Sequence, residues 1–335
     1  MPGPVDLHQT KCHGSLEVVD GTGGRRMNFA LVAHCDWGLD PRKRWMTVAR
    51  QLDGVWIVDH PEPVGDTTHL LPRLQARASP GRSVLIGFDF PIGLPEWYSM
   101  LAGFTSFRQA LSLLRTAEWQ AWFDVAETRS EISLHRPFYP MRPGGTSRVH
   151  QLDALGATDA KLLLRRCELA TSDRQAACSL FWTLGGNQVG KGAISGWREV
   201  IMPNLDEIGL WPFDGALSEL SHQFRVVIAE TYPGDVYAQL GIVRGGWSKR
   251  RQGDRQRVGQ AATRWLGTRS NIDVTSVQPH LEAGFGGDSS GEDRFDAFVG
   301  LLGMLSVVSK ERAEGFPDDP AVTKHEGWIL GHHRH

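Results

Sequence analysis

The sequence predicts an α/β protein in which a mixed sheet carries a long, mainly helical insertion over residues 100–220. Three observations lead there. Apolar runs of strand length, MNFALVAHCDWG (27–38), SVLIGF (83–88) and QFRVVIAE (223–230), have the composition of strands buried on both faces. Between the second and third runs, helical patterns alternate with Gly/Pro-rich loops. The last strong element, EDRFDAFVGLLGMLSVVSKER (292–312), is a helix that turns from amphipathic to apolar along its length.

Taken in order, the first strand ends in Asp36-Trp37-Gly38, as expected of a central strand whose tip reaches a functional edge. RWMTVARQL (44–52) and GVWIVDH (54–60) are rich in β-formers, and Asp53-Gly54 between them is a strong hairpin signal. DTTHLLPRLQARA (66–78) reads as a helix capped by Asp66 or Thr67, with Pro72 weakening its first turns. In SVLIGFDFPIGLP (83–95), Asp89 stands where the strand gives way to a Pro/Gly turn. The insertion contributes helical patterns at RQALSLLRTAEWQAWFDVAE (108–127), DAKLLLRRCELA (159–170) and GAISGWREVI (192–201), with the loop FYPMRPGGTSR (138–148) between the first two. QFRVVIAETYPG (223–234) is a strand ending at Glu230, followed by a short helix, DVYAQLG, then a basic loop and helix, WSKRRQGDRQRVGQAATRWLG. Residues 284–291 form a glycine-rich connector before the final helix.

The bulk numbers exclude several classes. With 335 residues, 41% hydrophobic and 22% charged, the chain is of ordinary globular composition, neither disordered nor fibrous, and one domain spanning 1–335 is expected. A net charge of -2 gives no overall basicity, so a nucleic-acid partner would have to meet a local patch. Cys12, Cys35, Cys167 and Cys178 lie far apart and form no CxxC pair, which disfavours zinc ribbons and disulfide frameworks and fits a reducing compartment. The N-terminal MPGPVDLHQTKCHG lacks an apolar h-region, and no stretch approaches the roughly 20 apolar residues that span a bilayer. A cytoplasmic protein without membrane contact is expected.

The chemistry is carried by acids. Asp36, Asp89 and Glu230 each sit at the C-terminal end of an apolar strand, and Asp293 and Asp296 lie three apart on one face at the start of the final helix. Open α/β sheets place ligands at their strand ends. A single Asp after a strand is a common turn former or cap, and an acid at a helix start also suits the helix dipole, so it is their joint occurrence that points to a site. Carboxylates gathered together repel unless a cation neutralises them. An all-oxygen donor set without Cys or His selects Mg²⁺ or Mn²⁺, ions that activate water and stabilise a leaving oxygen in phosphoryl transfer.

The segments HCDWG, GFDFPIGLP, AETYPG, EDRFDAF and the terminal EGWILG, spread over most of the chain, resemble a family of uncharacterised bacterial predicted nucleases with a ribonuclease H-like fold. The resemblance implies a ribonuclease H-like mixed sheet. In that superfamily, an Asp on the first strand, an acid on a later strand and an acid on the last helix hold two metals for phosphodiester hydrolysis. By position these are Asp36, then Asp89 or Glu230, and Asp293 or Asp296. The chain departs from small ribonucleases in Trp37-Gly38 after the first-strand acid and in its long helical insertion.

Two further segments suit phosphate. GGNQVGKG (185–192) comes within one residue of the P-loop pattern: Gly185, Gly190 and Lys191 fit, but Gly192 replaces the Ser or Thr that binds Mg²⁺. With CSLFWTL as a strand before it and a helix after it, glycine amides and Lys191 could hold a phosphate or carboxylate; a plain helix entry explains the glycines equally. SKRRQGDRQR (248–257) concentrates Lys249, Arg250, Arg251, Arg255 and Arg257, and Arg142 and Arg148 flank PGGTS nearby in the chain. Arginine forks suit phosphate, although a charge run is commonly a solvated face. His34, mid-strand, and His150, after a Gly-rich loop, are candidate general bases.

Three readings follow. A metal-dependent phosphodiester hydrolase acting on nucleic acid or another phosphate-bearing substrate uses all the placed acids. A nucleotide-using enzyme would rely on the glycine loop at 185–192. A non-catalytic binder of nucleic acid or protein would rely on the basic loop.

Overall fold

The computed structural model describes residues 26–170, 175–185, 189–243 and 245–333. Its centre is strand β1 (Phe29–Asp36), an apolar run buried along its length, with alternate side chains entering opposite cores. Leu31, Ala33 and Cys35 pack on one side, and Phe29 and Val32 on the other. β2 (Trp45–Leu52) runs antiparallel to it, and β3 (Val55–Val58) antiparallel to β2 across the turn at Asp53-Gly54, where both residues have positive φ. β4 (Glu62–Pro63) is a short partner of β2. After helix α1 (Leu70–Arg77), β5 (Ser83–Phe88) returns parallel to β1.

The insertion follows, with helices α2 (Glu96–Leu101), α3 (Phe107–Leu113), α4 (Arg148–Leu155) and α5 (Val189–Gly196). The chain then rejoins the sheet through β6 (Ile208–Leu210), helix α6 (Leu217–Gln223) and β7 (Val226–Glu230), which pairs parallel to β5. Helices α7 (Pro233–Gln239) and α8 (Gln252–Leu266), the short strand β8 (Ile272–Asp273), α9 (Gln278–Glu282) and α10 (Gly291–Val308) complete the order. The result is an eight-stranded mixed sheet, β6-β7-β5-β1-β2-β3-β8, with β4 beside β2. Both faces are covered: α10 packs on β1 and β2, and the insertion and α1 cover the opposite side. No helix among the described residues is long and apolar enough to cross a membrane.

The insertion is less regular than its sequence pattern suggests. In 108–127, α3 ends at Leu113, and the apolar spacing Trp119, Trp122, Phe123, Ala126 is met by successive tight turns instead of a helix. The bonds Trp119 N to Thr116 O (3.2 Å), Trp122 N to Trp119 O (2.9 Å) and Asp124 N to Ala121 O (3.0 Å) bring the same side chains inward. Residues 159–170 likewise form two 3-10 turns, Ala160–Leu163 and Arg166–Glu168. CSLFWTL forms no strand and contributes one isolated bridge, Tyr139 to Trp182. Aromatic packing fixes this path: Trp122 stacks on Trp197 at 5.5 Å and meets Phe138 and Phe181 edge-on.

The turn after β5 is pinned to the C-terminal segment by a glycine. Gly93 has φ +139°, and a Cβ there would lie 2.0 Å from the Glu326 carbonyl oxygen, beside the bond from Leu94 N to His325 O (2.8 Å). Gly93→Ala therefore adds a backbone clash to the conformational strain, whereas Gly54→Ala at the hairpin tip meets nothing within 4 Å and adds strain alone. Thermal unfolding is expected to show the Gly93 variant to be the less stable of the two by about 1–3 kcal/mol.

Candidate active site

Three strand ends stop on one edge because β1, β5 and β7 are parallel and in step: Cys35 pairs with Phe88, and Phe88 with Glu230. Asp36 closes β1, Asp89 follows β5, and Glu230 closes β7. The pleat then divides the acids. Asp36 shares its face with Val32, and Asp89 with Leu85, both in the core beneath α10. Glu230 shares its face with Val226 and Ile228, in the core beneath the insertion.

α10 brings its acids to the first face. It lies close on β1 because Gly300 leaves room for the His34 ring, which a Cβ would approach to 2.3 Å. Its opening turns thus set Asp293 and Asp296 within electrostatic reach of Asp36. Asp36 and Asp89 lie close enough for each to act on the other's carboxyl. Asp89 Oδ1 also accepts from Trp37 N at 2.7 Å. Burial first, then the charges of Asp89, Asp296 and Asp293, raise the Asp36 carboxyl well above its usual range. Burial, with Asp296 adding to it against the Trp37 amide, pushes Asp89 up to about 7. Asp293 is pushed up to about 6 by burial, with Glu292 and Asp296 adding to it against Lys43, and its buried Oδ2 has no hydrogen-bond partner.

Asp296 differs. It is buried, and both its oxygens are taken: Oδ1 accepts from the Tyr237 hydroxyl, and Oδ2 receives Lys249 Nζ at 2.5 Å. Lys249 also pairs with Glu292 at 3.2 Å, and Arg250 reaches the same Glu292 at 3.8 Å.

Glu230 does not join this group. Arg165 of the insertion, itself buried, grips it with two bonds (Nη1 to Oε2, 2.6 Å; Nη2 to Oε1, 2.7 Å), and the Ile92 amide adds a third at 2.7 Å. Arg165 also pairs with buried Glu168 at 2.8 Å. The charge of Glu230 is already met by a buried guanidinium, and these bonds tie β7 to the insertion.

A cleft of ≈ 580 Å³ opens over the edge, lined among others by Trp37, Asp89, Glu230, Lys191, Lys249 and Arg250. Of the expected anion-binding residues, Lys191, Lys249 and Arg250 face it. Arg255 has another role: it is buried and donates to the carbonyls of Gly284 (2.8 Å), Lys249 and Gly286, holding the basic loop in shape. Arg142 is exposed and pairs with Glu127 at 2.5 Å. Arg148 lies over the Trp182 ring and donates to Cys178 Sγ at 3.2 Å, next to the cleft wall.

Gly190 is needed for packing, since a Cβ there would lie 2.4 Å from the Leu180 carbonyl. Residues 186–188 of the glycine segment, like Cys12, lie outside the described residues. With no strand before it, the segment lacks the strand–loop–helix context of a P-loop. His34 is fully buried, and burial pushes its imidazole down to about 3; it packs under α10 and has no path to a substrate. His150 bonds Tyr139 through Nδ1 at 3.0 Å and does not line the cleft. Cys35 and Cys178 are free thiols.

Comparison with protein-family models, with curated proteins and with solved structures returns no match. Function must therefore be argued from the site. Among the described residues, no three His, Cys, Asp and Glu side chains form a group that could hold a metal ion. What the cluster does show is crowding of acids: Asp36, Asp89 and Asp293 are all raised by burial and by neighbouring acids, and a buried oxygen of Asp293 has no partner. Such an all-oxygen set has the donor chemistry of a hard divalent cation without the grouping of one.

Two residues central to this geometry carried little signal in the sequence. Tyr237 sits in the unremarkable segment DVYAQLG, and Arg165 in a segment that reads as an ordinary helix.

The raised carboxyls make a pH prediction. A carboxyl that binds its proton more tightly folded than unfolded gives the folded state the greater proton uptake between the two pKa values, so stability falls as pH rises through that interval. For Asp89 the interval runs from its ordinary 3.8 to about 7. In metal-free buffer, Asp89→Asn is expected to become progressively more stable relative to the parent chain as pH rises across it. Melting temperatures of both proteins at several pH values measure this directly, and a constant difference would contradict the assignment.

Proposed function

We propose that the chain is a metal-dependent phosphodiester hydrolase of nuclease type, built on a ribonuclease H-like sheet and using Mg²⁺ or Mn²⁺. The observation that carries this reading is the convergence of Asp36, Asp89, Asp293 and Asp296 from the first strand, a later parallel strand and the last helix. Asp36, Asp89 and Asp293 would hold the ion, since Asp296 is already bound by Tyr237 and Lys249. When bound, the ion supplies Lewis-acid chemistry, activating water and neutralising charge on the phosphoryl oxygens. The chain's own groups do the rest. Lys191 and Arg250 line the cleft where a phosphate would lie, and the walls around Trp37 and Phe90 limit access of bulk water. Hydrolysis of bis-p-nitrophenyl phosphate and of single-stranded oligonucleotides with Mn²⁺, compared with EDTA, tests the reading; metal-independent or absent turnover across these substrates counts against it.

The cleft's dimensions favour a second reading, a nucleotide-using enzyme, because ≈ 580 Å³ suits one nucleotide-sized ligand. That reading expects Mg-ATP to raise the melting temperature and Lys191→Ala to remove the rise.

A further inference from the structure

The end of the sheet opposite the acids carries a second pocket, of ≈ 410 Å³, where β1 begins, the β2–β3 hairpin turns and α10 ends. Arg26 and Lys310 line it, with Gln51, Trp56, Asn271 and Ser309 between them, and none of its lining residues is an Asp or Glu. The acids nearest in the chain, Asp53 and Glu311, stay out of the lining, and Glu311 is held by Arg269 at 2.7 Å. Among the described residues no carboxylate pairs with Arg26. Burial first, then the charge of Arg26, lowers the Arg82 guanidinium from its ordinary value, so two like charges meet beside the pocket.

The neutral groups of the lining add hydrogen-bond donors. Arg82 Nη2 donates to Gln51 Oε1 at 2.6 Å, which occupies the acceptor of that amide and leaves its NH₂ for the pocket. Asn271 Nδ2 reaches Ser309 Oγ at 3.4 Å, so the amide keeps a second hydrogen and the hydroxyl its own. Lys310 has φ +61°. That is the left-handed position after a helix C-cap, where glycine is the least strained residue, and the chain holds a pocket-lining lysine there instead.

We propose that this pocket is a phosphate-binding site, taking free phosphate or the phosphate of a small ester whose organic part lies along Trp56. Arg26 and Lys310 supply charge, the Gln51 and Asn271 amides supply neutral donors, and the volume leaves room beside the phosphate. The site shares no lining residue with the cleft over the acids, so it stands apart from the hydrolase reading.

Isothermal titration in EDTA at low ionic strength, with inorganic phosphate, ribose 5-phosphate and ribose as probes, tests it without metal or turnover. The parent chain is expected to bind both phosphates and not ribose. Tighter binding of ribose 5-phosphate assigns the site to an ester, and equal binding assigns it to free phosphate. Arg26→Ala and Lys310→Gly are each expected to weaken binding by about tenfold or more. Lys310→Gly should do so without a fall in melting temperature, because glycine suits the backbone there. Lys191→Ala, which alters the cleft, should leave the affinity unchanged. No binding of either phosphate, or binding lost in Lys191→Ala and kept in Arg26→Ala and Lys310→Gly, would overturn the proposal.

Discussion

Asp36→Asn is expected to reduce metal-dependent phosphodiester hydrolysis by about 10³-fold and to remove the rise in melting temperature that Mn²⁺ gives the parent chain. The substitution keeps the shape of the side chain and its ability to accept a hydrogen bond, but removes the group that could ionise to meet a bound cation. Its effect on metal-free stability should be neutral or favourable, because burial, with the charges of Asp89, Asp296 and Asp293, raises the Asp36 carboxyl well above its usual range. That combination separates a site residue from a structural one: activity and metal response disappear while the fold persists. Glu230→Gln is expected to behave in the opposite way, with lower stability and with Mn²⁺ response retained, because its partner is Arg165. If Asp36→Asn kept its metal response, the cluster would not be where the ion binds.

Arg165→Met carries the largest expected effect on stability. It would leave Glu230 and Glu168 buried without their guanidinium, and breaking a buried pair from one side costs about 3–5 kcal/mol. For a chain of this size that corresponds to a fall in melting temperature on the order of 10 °C. Arg166 offers the comparison. It too spans several elements, pairing with Glu96, Asp319 and Glu326, but it is half-buried and water screens it. Arg166→Met should therefore cost about 1 kcal/mol. Combining Arg165→Met with Glu230→Gln should recover part of the loss, since it removes one of the stranded charges. Equal melting temperatures for the two arginine variants would show that the buried network does not hold the insertion to the sheet.

The sheet was legible because its strands are buried on both faces and therefore appear as unbroken apolar runs, and because Asp53-Gly54 marks the hairpin. The short strands Glu62–Pro63, Ile208–Leu210 and Ile272–Asp273 were not, since two or three residues carry no periodicity. The insertion was misread as long helices for a physical reason. Inward spacings of three and four residues are compatible with successive tight turns as well as with an α-helix, and only the hydrogen bonds of residues 116–124 distinguish them. In the site, the position of each acid at a strand or helix end was visible, but its direction was not. Asp36, Asp89 and Glu230 look equivalent in the sequence, and the strand register alone sends Glu230 to the opposite face. The basic loop divides in the same way. Lys249 and Arg250 reach the cleft, while Arg255, two residues before a neighbouring arginine of similar appearance, is spent on backbone carbonyls. Composition marks such a loop as cationic; tertiary contacts decide which cation is free for a ligand.

The measurement that tests the central claim most directly is the anomalous scattering of crystals grown with Mn²⁺. The account predicts a strong peak within coordination distance of Asp36, Asp89 and Asp293. A Mn²⁺-grown crystal with no peak at these carboxylates would contradict it.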